Sequence, residues 1–190
     1  MLHLKMYRPS STPVRELILP EGCSITRFSE PEDRTEWIEC CKNGLVADDA
    51  SGAERFERDV VNRSDLKFPE DVIFLDFDGV HVATASMIYN AEKNYGGLHM
   101  VGMKTEFRGR GLIKYLNNAA VGILVGRGVD YIELLTSEWR VNAIRSYLSE
   151  GFLPVEYAEG MEERWHKLFS EIGISGVDMV REDGSFYKTI

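Results

Sequence analysis

Between residues 104 and 114 the chain reads KTEFRGRGLIK, and these residue types suggest an anion site. Lys104, Arg108, Arg110 and Lys114 stand against the single carboxylate of Glu106, a net +3 in a chain whose total is −9. Gly109 and Gly111 carry no Cβ, so a ligand can approach the backbone there. If a helix begins just after the glycines, its first N–H groups lack partners within the helix. Its dipole also favours negative charge at that end. Phosphate is the usual guest of such a turn. A glycine pattern alone is weak evidence, and a tight turn with a solvated basic rim fits the same residues.

The flanking segments must then hold that turn. His99 to Lys104 is a short apolar run that ends in polar residues, as a buried strand does. After the glycines, Leu112, Tyr115, Leu116, Ala119, Ala120, Ile123 and Leu124 recur at helical spacing. Gly126 and Gly128 stop that helix. A second apolar run, Tyr131 to Leu135, follows. Beyond it Ala143, Ile144, Tyr147 and Leu148 share the face of a short helix closed by Gly151-Phe152.

This layout resembles the GNAT superfamily of acyl-coenzyme A-dependent N-acyltransferases. In that family a strand leads into (Gln or Arg)-x-x-Gly-x-(Gly or Ala), matched here by Arg108, Gly111 and Ile113 after Phe107. The family's later Asn-x-x-Ala-x-x-x-Tyr and Gly-Phe are matched by Ala143, Tyr147, Gly151 and Phe152. Two positions depart from the pattern. Ile113 stands where Gly or Ala is usual, and Arg140 stands where the family often has the Asn that contacts the pantetheine arm. Asn142, two residues on, is the candidate to replace it.

The resemblance implies a mixed α/β (α+β) fold, with a mostly antiparallel sheet of six to seven strands flanked by helices. It also implies a splay between the fourth and fifth strands that seats the pantetheine arm of acetyl-coenzyme A, the expected co-substrate. Backbone groups of Val101 and Met103 would pair with that arm like a missing strand. Amides of Gly109, Arg110, Gly111, Leu112, Ile113 and Lys114 would take the pyrophosphate, with Arg108, Arg110 and Lys114 supplying charge.

Acyl transfer to an amine needs a base, donors for the oxyanion and a proton for the departing thiolate. Tyr147 matches the family tyrosine that lies near the coenzyme sulfur, so it is the expected acid. His99 is the expected base, since an imidazole with an ordinary pKa near 6.5 suits that task. Glu133, Glu138 or a water chain are the alternatives. The expected activity is N-acetyl transfer to a small amine. A coenzyme A-binding sensor and a peptide acetyltransferase remain open.

Composition narrows the class. With 44% hydrophobic and 28% charged residues over 190 positions, the chain suits one domain with a real core. Its acidity argues against a nucleic-acid partner. No apolar run approaches a membrane span, and no signal-peptide stretch opens the chain. Cys23, Cys40 and Cys41 show no metal-ligand spacing and read as reduced thiols, so a cytoplasmic location is expected.

Residues 1–20 read as an N-terminal arm, with Cys23 to Phe28 the first strand. Helices are expected from about Glu32 to Asn43 and from Ala53 to Asn62. VIFLDF and VHVATASMIY form a hairpin around Asp78-Gly79. The second of these strands pairs with Leu98 to Lys104 through a turn from Glu92 to Gly97. Residues 161–190 read as an added helix and hairpin, candidates for a homodimer contact.

Overall fold

The computed structural model describes residues 2–42 and 44–190. Nine strands form one mixed sheet: β1 (Leu4–Pro9), β2 (Cys23–Arg27), β3 (Val72–Phe77), β4 (Val80–Asn90), β5 (Tyr95–Met103), β6 (Tyr131–Thr136), β7 (Leu153–Glu156), β8 (Asp178–Arg181) and β9 (Phe186–Thr189). Their order across the sheet is β2-β3-β4-β5-β6-β1-β7-β8-β9. The β5–β6 and β7–β8 pairs are parallel and the others antiparallel. The helices are α1 (Asp33–Cys41), α2 (Gly52–Phe56), α3 (Ile113–Gly126), α4 (Val141–Ser149) and α5 (Met161–Ile172). A π-helical turn, Glu57–Val61, prolongs α2.

Alternation along β3 shows how two cores share the sheet. Val72 and Phe74 join Trp37, Phe56 and Val60 under α1 and α2. Ile73 and Leu75 join the opposite core with Leu116 and Leu124 of α3, Ile144 and Tyr147 of α4, and Trp165 and Phe169 of α5. The helices therefore cover both faces. Helix α3 runs where its periodic apolar face required, and α5 lies between Gly160 and Gly173, both left-handed. The β3–β4 hairpin turns at Asp78 and Gly79, both with positive φ, as expected of that dipeptide.

Three expectations need correction. Residues 4–9 are not an arm. They form β1, deep in the sheet between β6 and β7, with Leu4, Met6 and Arg8 buried. With β1 and β7 (Leu153–Glu156) added, the sheet has nine strands rather than six or seven. Finally, β5 starts at Tyr95, so Gly96 and Gly97 lie in a strand and not in a turn. They are glycines for close approach: a Cβ at Gly96 would sit 2.8 Å from Leu124 Cδ2, and one at Gly97 would sit 2.6 Å from Ile88 Cγ1. Helix α1 begins and runs as expected, while Asn43, its expected end, lies outside the described residues. Val14 and Leu19 form no strand and pack part-buried against the core. Among the described residues no helix is long and apolar enough to cross a membrane.

Candidate active site

The site begins where β5 and β6 part. Their parallel pairing covers Tyr95–Gly97 against Tyr131–Glu133 and then stops, although β5 runs on to Met103. Beyond Gly97, β5 also carries a bulge: Ser86 of β4 faces His99 and Thr84 faces Gly102, leaving one extra residue on β5. Met100 absorbs it with φ +50. Lys104 N donates to Val82 O at 3.0 Å across to β4. Backbone groups alternate in direction along a strand, so those of Met103 and Val101 point away from β4, into the splay. One of these, the Met103 carbonyl, accepts from Arg108 Nε at 3.0 Å.

The loop after β5 turns through a short 3₁₀ segment, Thr105–Phe107, into α3. Arg108 braces it from below, its Nη2 also donating to Lys42 O at 3.2 Å. The expected phosphate ligand Arg108 is thus engaged in shaping the turn. Gly109 and Gly111 have φ of +77° and +70°, a region that side chains disfavour. A Cβ at either would meet nothing within 4 Å, so the space above them is open. Leu112 is buried and anchors the helix start, while Ile113 packs against the same core. The branched side chain of Ile113 therefore leans away from the turn. No side chain caps α3, and its first turn holds no acid. Its leading amides thus face the open space, with the exposed Arg110 and Lys114 beside them. Lys104 is occupied elsewhere, its Nζ 2.6 Å from Glu36 Oε2. A cleft of about 220 Å³ next to the loop is walled by Glu39 and Glu106 together with Lys42 and Lys104.

Tyr147 stands on α4, on the α3 side of the sheet, buried and edge-on to Phe152 at 5.9 Å. Burial pushes its hydroxyl up to about 12, opposed by the charge of Arg140. Arg140 stretches from the start of α4 toward α1, its Nη2 donating to Gly44 O at 2.6 Å. Asn142 is exposed on the first turn of α4.

His99 lies on the opposite face of the sheet, since its register partner Ser86 also pairs with Val72 of the α1–α2 core. Its Nε2 is 2.9 Å from Asp59 O. A carbonyl only accepts, so Nε2 carries the hydrogen and the lone pair sits on Nδ1. Burial, and then the Arg63 charge, hold the imidazole below its ordinary value against Asp59 and Asp65. It is therefore neutral at pH 7.

Glu133 shares that face at the apex of the splay, opposite Gly97. Its neighbours are a stack of tyrosines that the sequence did not advertise: Tyr131 lies 4.7 Å from Tyr7 and 5.2 Å from Tyr95. The alternation in YIELLT carried a signal for this row, because it puts Tyr131, Glu133 and Leu135 on one face. Glu138 is a different case. Its Oε1 accepts from Arg164 Nε at 2.6 Å, which ties it to α5. Burial pushes this carboxyl up, but its hydrogen bonds and the Arg164 charge outweigh that and leave it below the usual range. The structure thus sets Tyr147 and His99 on opposite faces of the sheet.

Residues 32–152 match the acetyltransferase (GNAT) family. The chain is 27% identical over 161 residues to a mycothiol acetyltransferase from Thermobispora bispora, a match over 78% of this chain and 52% of that protein. A mycothiol acetyltransferase from Streptomyces bingchenggensis is 26% identical, over 78% of this chain and 48% of that protein. The chain spans about half the length of these curated relatives. Among solved structures, a GCN5-related N-acetyltransferase from Sphaerobacter thermophilus superposes with a TM-score of 0.61 at 24% identity, over 81% of this chain and 49% of that one. Diaminobutyrate acetyltransferase from Paenibacillus lautus, in complex with its substrate and coenzyme A, has a TM-score of 0.53 at 17% identity, over 67% and 73%. These two likenesses speak for the fold. The family match takes in the splayed strand, the glycine turn, α3 and the α4 tyrosine together, and on that basis the chain belongs to the acetyltransferase (GNAT) family.

Proposed function

We propose that this chain transfers an acetyl group from acetyl-coenzyme A to the amine of a small molecule. The observation that carries the reading is the end of β5, where an edge with no partner strand on the β6 side leads through the glycine loop to a helix N-terminus without a side-chain cap. An extended arm ending in a diphosphate needs both features, and in that order. The residues fit coenzyme A: Val101 and Met103 for the arm, and the amides of Gly109 to Lys114 for the diphosphate, with Arg110 and Lys114 adding charge. The co-substrate supplies an activated acetyl thioester. The amine nitrogen gains the acetyl carbon and gives up a proton, and the sulfur leaves and takes one.

In this reading Tyr147 gives the proton that goes to sulfur, and Nδ1 of His99 accepts the one from nitrogen. Glu133, at the apex of the splay, is the alternative acceptor. The small-molecule reading draws support from the names of the curated relatives.

Release of free thiol from acetyl-coenzyme A with a panel of small amines tests the reading. Turnover with at least one amine is expected. Binding without turnover for every amine and peptide tried would instead leave a coenzyme A sensor. Tyr147→Phe should lower kcat by about 10²-fold, the low end for a lost general acid. Its Kd for acetyl-coenzyme A should be unchanged, and undiminished turnover would remove Tyr147 from the chemistry.

The pH profile tests His99. An imidazole whose pKa is lowered by burial stays neutral down to below 6.5, so the acid limb of kcat should lie below that pH. His99→Ala should abolish this limb and lower the plateau. An identical limb in the variant would pass the role to Glu133 or to water.

A further inference from the structure

His81, on β4, takes no part in the site described above, yet both of its ring nitrogens are engaged. Nδ1 meets Asp76 Oδ1 of β3, and Nε2 meets Asp33 Oδ1 of α1 at 3.2 Å. Both carboxylates are buried, and the ring lies flat on Phe74 with centroids 4.2 Å apart. Asp33 Oδ2 accepts from the amides of Ser29 and Glu30 at 2.8 and 3.1 Å. Burial pushes this carboxyl up, but those amides and His81 outweigh it and hold it below the usual carboxylate range. An ionised carboxylate only accepts, so Nε2 carries a hydrogen. Asp76, whose Oδ2 accepts from Ser24 Oγ at 3.4 Å, asks the same of Nδ1. The arrangement is that of an imidazolium held between two carboxylates.

The two bonds hold different things. Asp76 and His81 belong to one hairpin, so the bond between them needs no help from α1. The bond to Asp33 crosses between elements and ties the first residue of α1 to the sheet. At its other end α1 rests on β5 beside the splay. A Cβ at Gly102, between Val101 and Met103, would sit 2.6 Å from Cys40 O and 3.0 Å from Cys41 Cα. Arg108 of the glycine turn donates to Lys42 O just beyond. Lys104 and Glu36, one turn along α1 from Asp33, are paired with each other at 2.6 Å. Among the described residues, Asp33 and Asp76 are the charged groups bonded to the ring.

We propose that His81 is a pH-sensitive latch on α1, closed while the ring holds both protons and open at Asp33 once it holds one. The sign follows from the bonding. Loss of the Nε2 proton sets a lone pair against Asp33 Oδ1, two acceptors facing each other. Asp33 is then a buried carboxylate short of a donor, and the helix start must move outward for water to supply one. Rising pH therefore loosens the first turn of α1. Falling pH closes it again, down to the point where Asp33 itself takes a proton. This device does not depend on the acetyltransferase reading.

Two titrations of the free protein test it. Nitrogen NMR of histidine-labelled protein gives the midpoint at which His81 loses its second proton. The His81 signals are assigned by their absence from His81→Gln or, should that variant not fold, by elimination with substitutions of His3, His99 and His166. Amide hydrogen exchange over residues 33–37, corrected for the intrinsic pH dependence of exchange, reads the helix start on both sides of that midpoint. Protection should fall by about tenfold as pH rises through it, the scale of one lost hydrogen bond to a charged group. Asp33→Asn should abolish this step, because an amide offers a donor or an acceptor to suit either form of the ring. Unchanged protection across the midpoint would overturn the proposal. So would a step that survives in Asp33→Asn, or a ring that keeps both protons until the whole protein unfolds.

Discussion

Gly111→Glu is expected to leave the fold intact and to weaken acetyl-coenzyme A binding by roughly 10³-fold. The first contribution is conformational. Gly111 holds φ +70°, and a side chain there costs about 1–2 kcal/mol. The loop then relaxes toward other geometries, and a ligand that needs the native one must restore it. The second contribution is electrostatic. A carboxylate at this position can cap the free amides of α3 itself, and it repels a diphosphate from the same spot. Together the two effects reach about 4 kcal/mol, or three decades in Kd. No atom lies within 4 Å of the added Cβ, so the core should not notice. Calorimetric titration with acetyl-coenzyme A reads the effect, with circular dichroism as the folding control. Gly109→Ala supplies strain without charge and should lose only about tenfold. A Kd for the glutamate variant within threefold of wild type would mean that the diphosphate binds elsewhere.

The second large effect concerns stability. Arg8 sits on β1 with 1% of its surface exposed, and it is surrounded by carbonyls. Its Nε donates to Glu150 O at 2.7 Å, and its Nη2 to Thr12 O and Pro13 O at 3.0 Å each. The guanidinium thus sews the end of α4 to the chain leaving β1. Burial lowers its pKa, opposed by the Glu150 carboxylate, yet arginine stays charged. Arg8→Ala would leave those carbonyls buried without donors and open a cavity besides. A loss of about 3–5 kcal/mol is expected, by the measure of buried ionic groups that lose a partner. For a chain of this size that is a fall in Tm of about 10 °C or more, read by differential scanning calorimetry. A fall of only a degree or two would show that water replaces the guanidinium at little cost.

Arg8 also explains why the first strand is hard to read from residues alone. LKMYRP alternates well, with Leu4 and Met6 inward, but the third inward position is a cation and the run ends in Pro9. Arginine at a core position reads as surface until the carbonyls that receive it are known, and those come from α4 and from residues 9–13. Gly96-Gly97 misleads in the opposite sense. Two adjacent glycines suggest a turn, yet here they admit Leu124 and Ile88, which the local sequence cannot announce.

The helices are more legible. The periodicity of α3 and α5 and the glycines that end them are local signals, and the structure follows them closely. The candidate site divides along the same line. The anion turn can be read directly, because positive φ at Gly109 and Gly111 and the helix that follows are local properties. The direction of Arg140, the partner of His99 and the tyrosine row depend on which strands meet at the splay, so they appear only in three dimensions.

The place of β1 has a consequence for how the chain reaches its native state. Leu4 pairs with Thr136 and Met6 with Pro154, so an early strand lies between two that come much later in the sequence. Until Thr136 has left the ribosome, residues 4–9 have no edge to join, and the apolar side chains of Leu4 and Met6 remain uncovered. Closing so long a loop costs entropy before any contact rewards it, which places this step late and makes it slow. The half of the sheet from β2 to β5 can assemble with α1 and α3 while the remainder is still being made. The final insertion of β1 then locks β6 to β7, and a partly synthesised chain is most exposed to self-association in the interval before it.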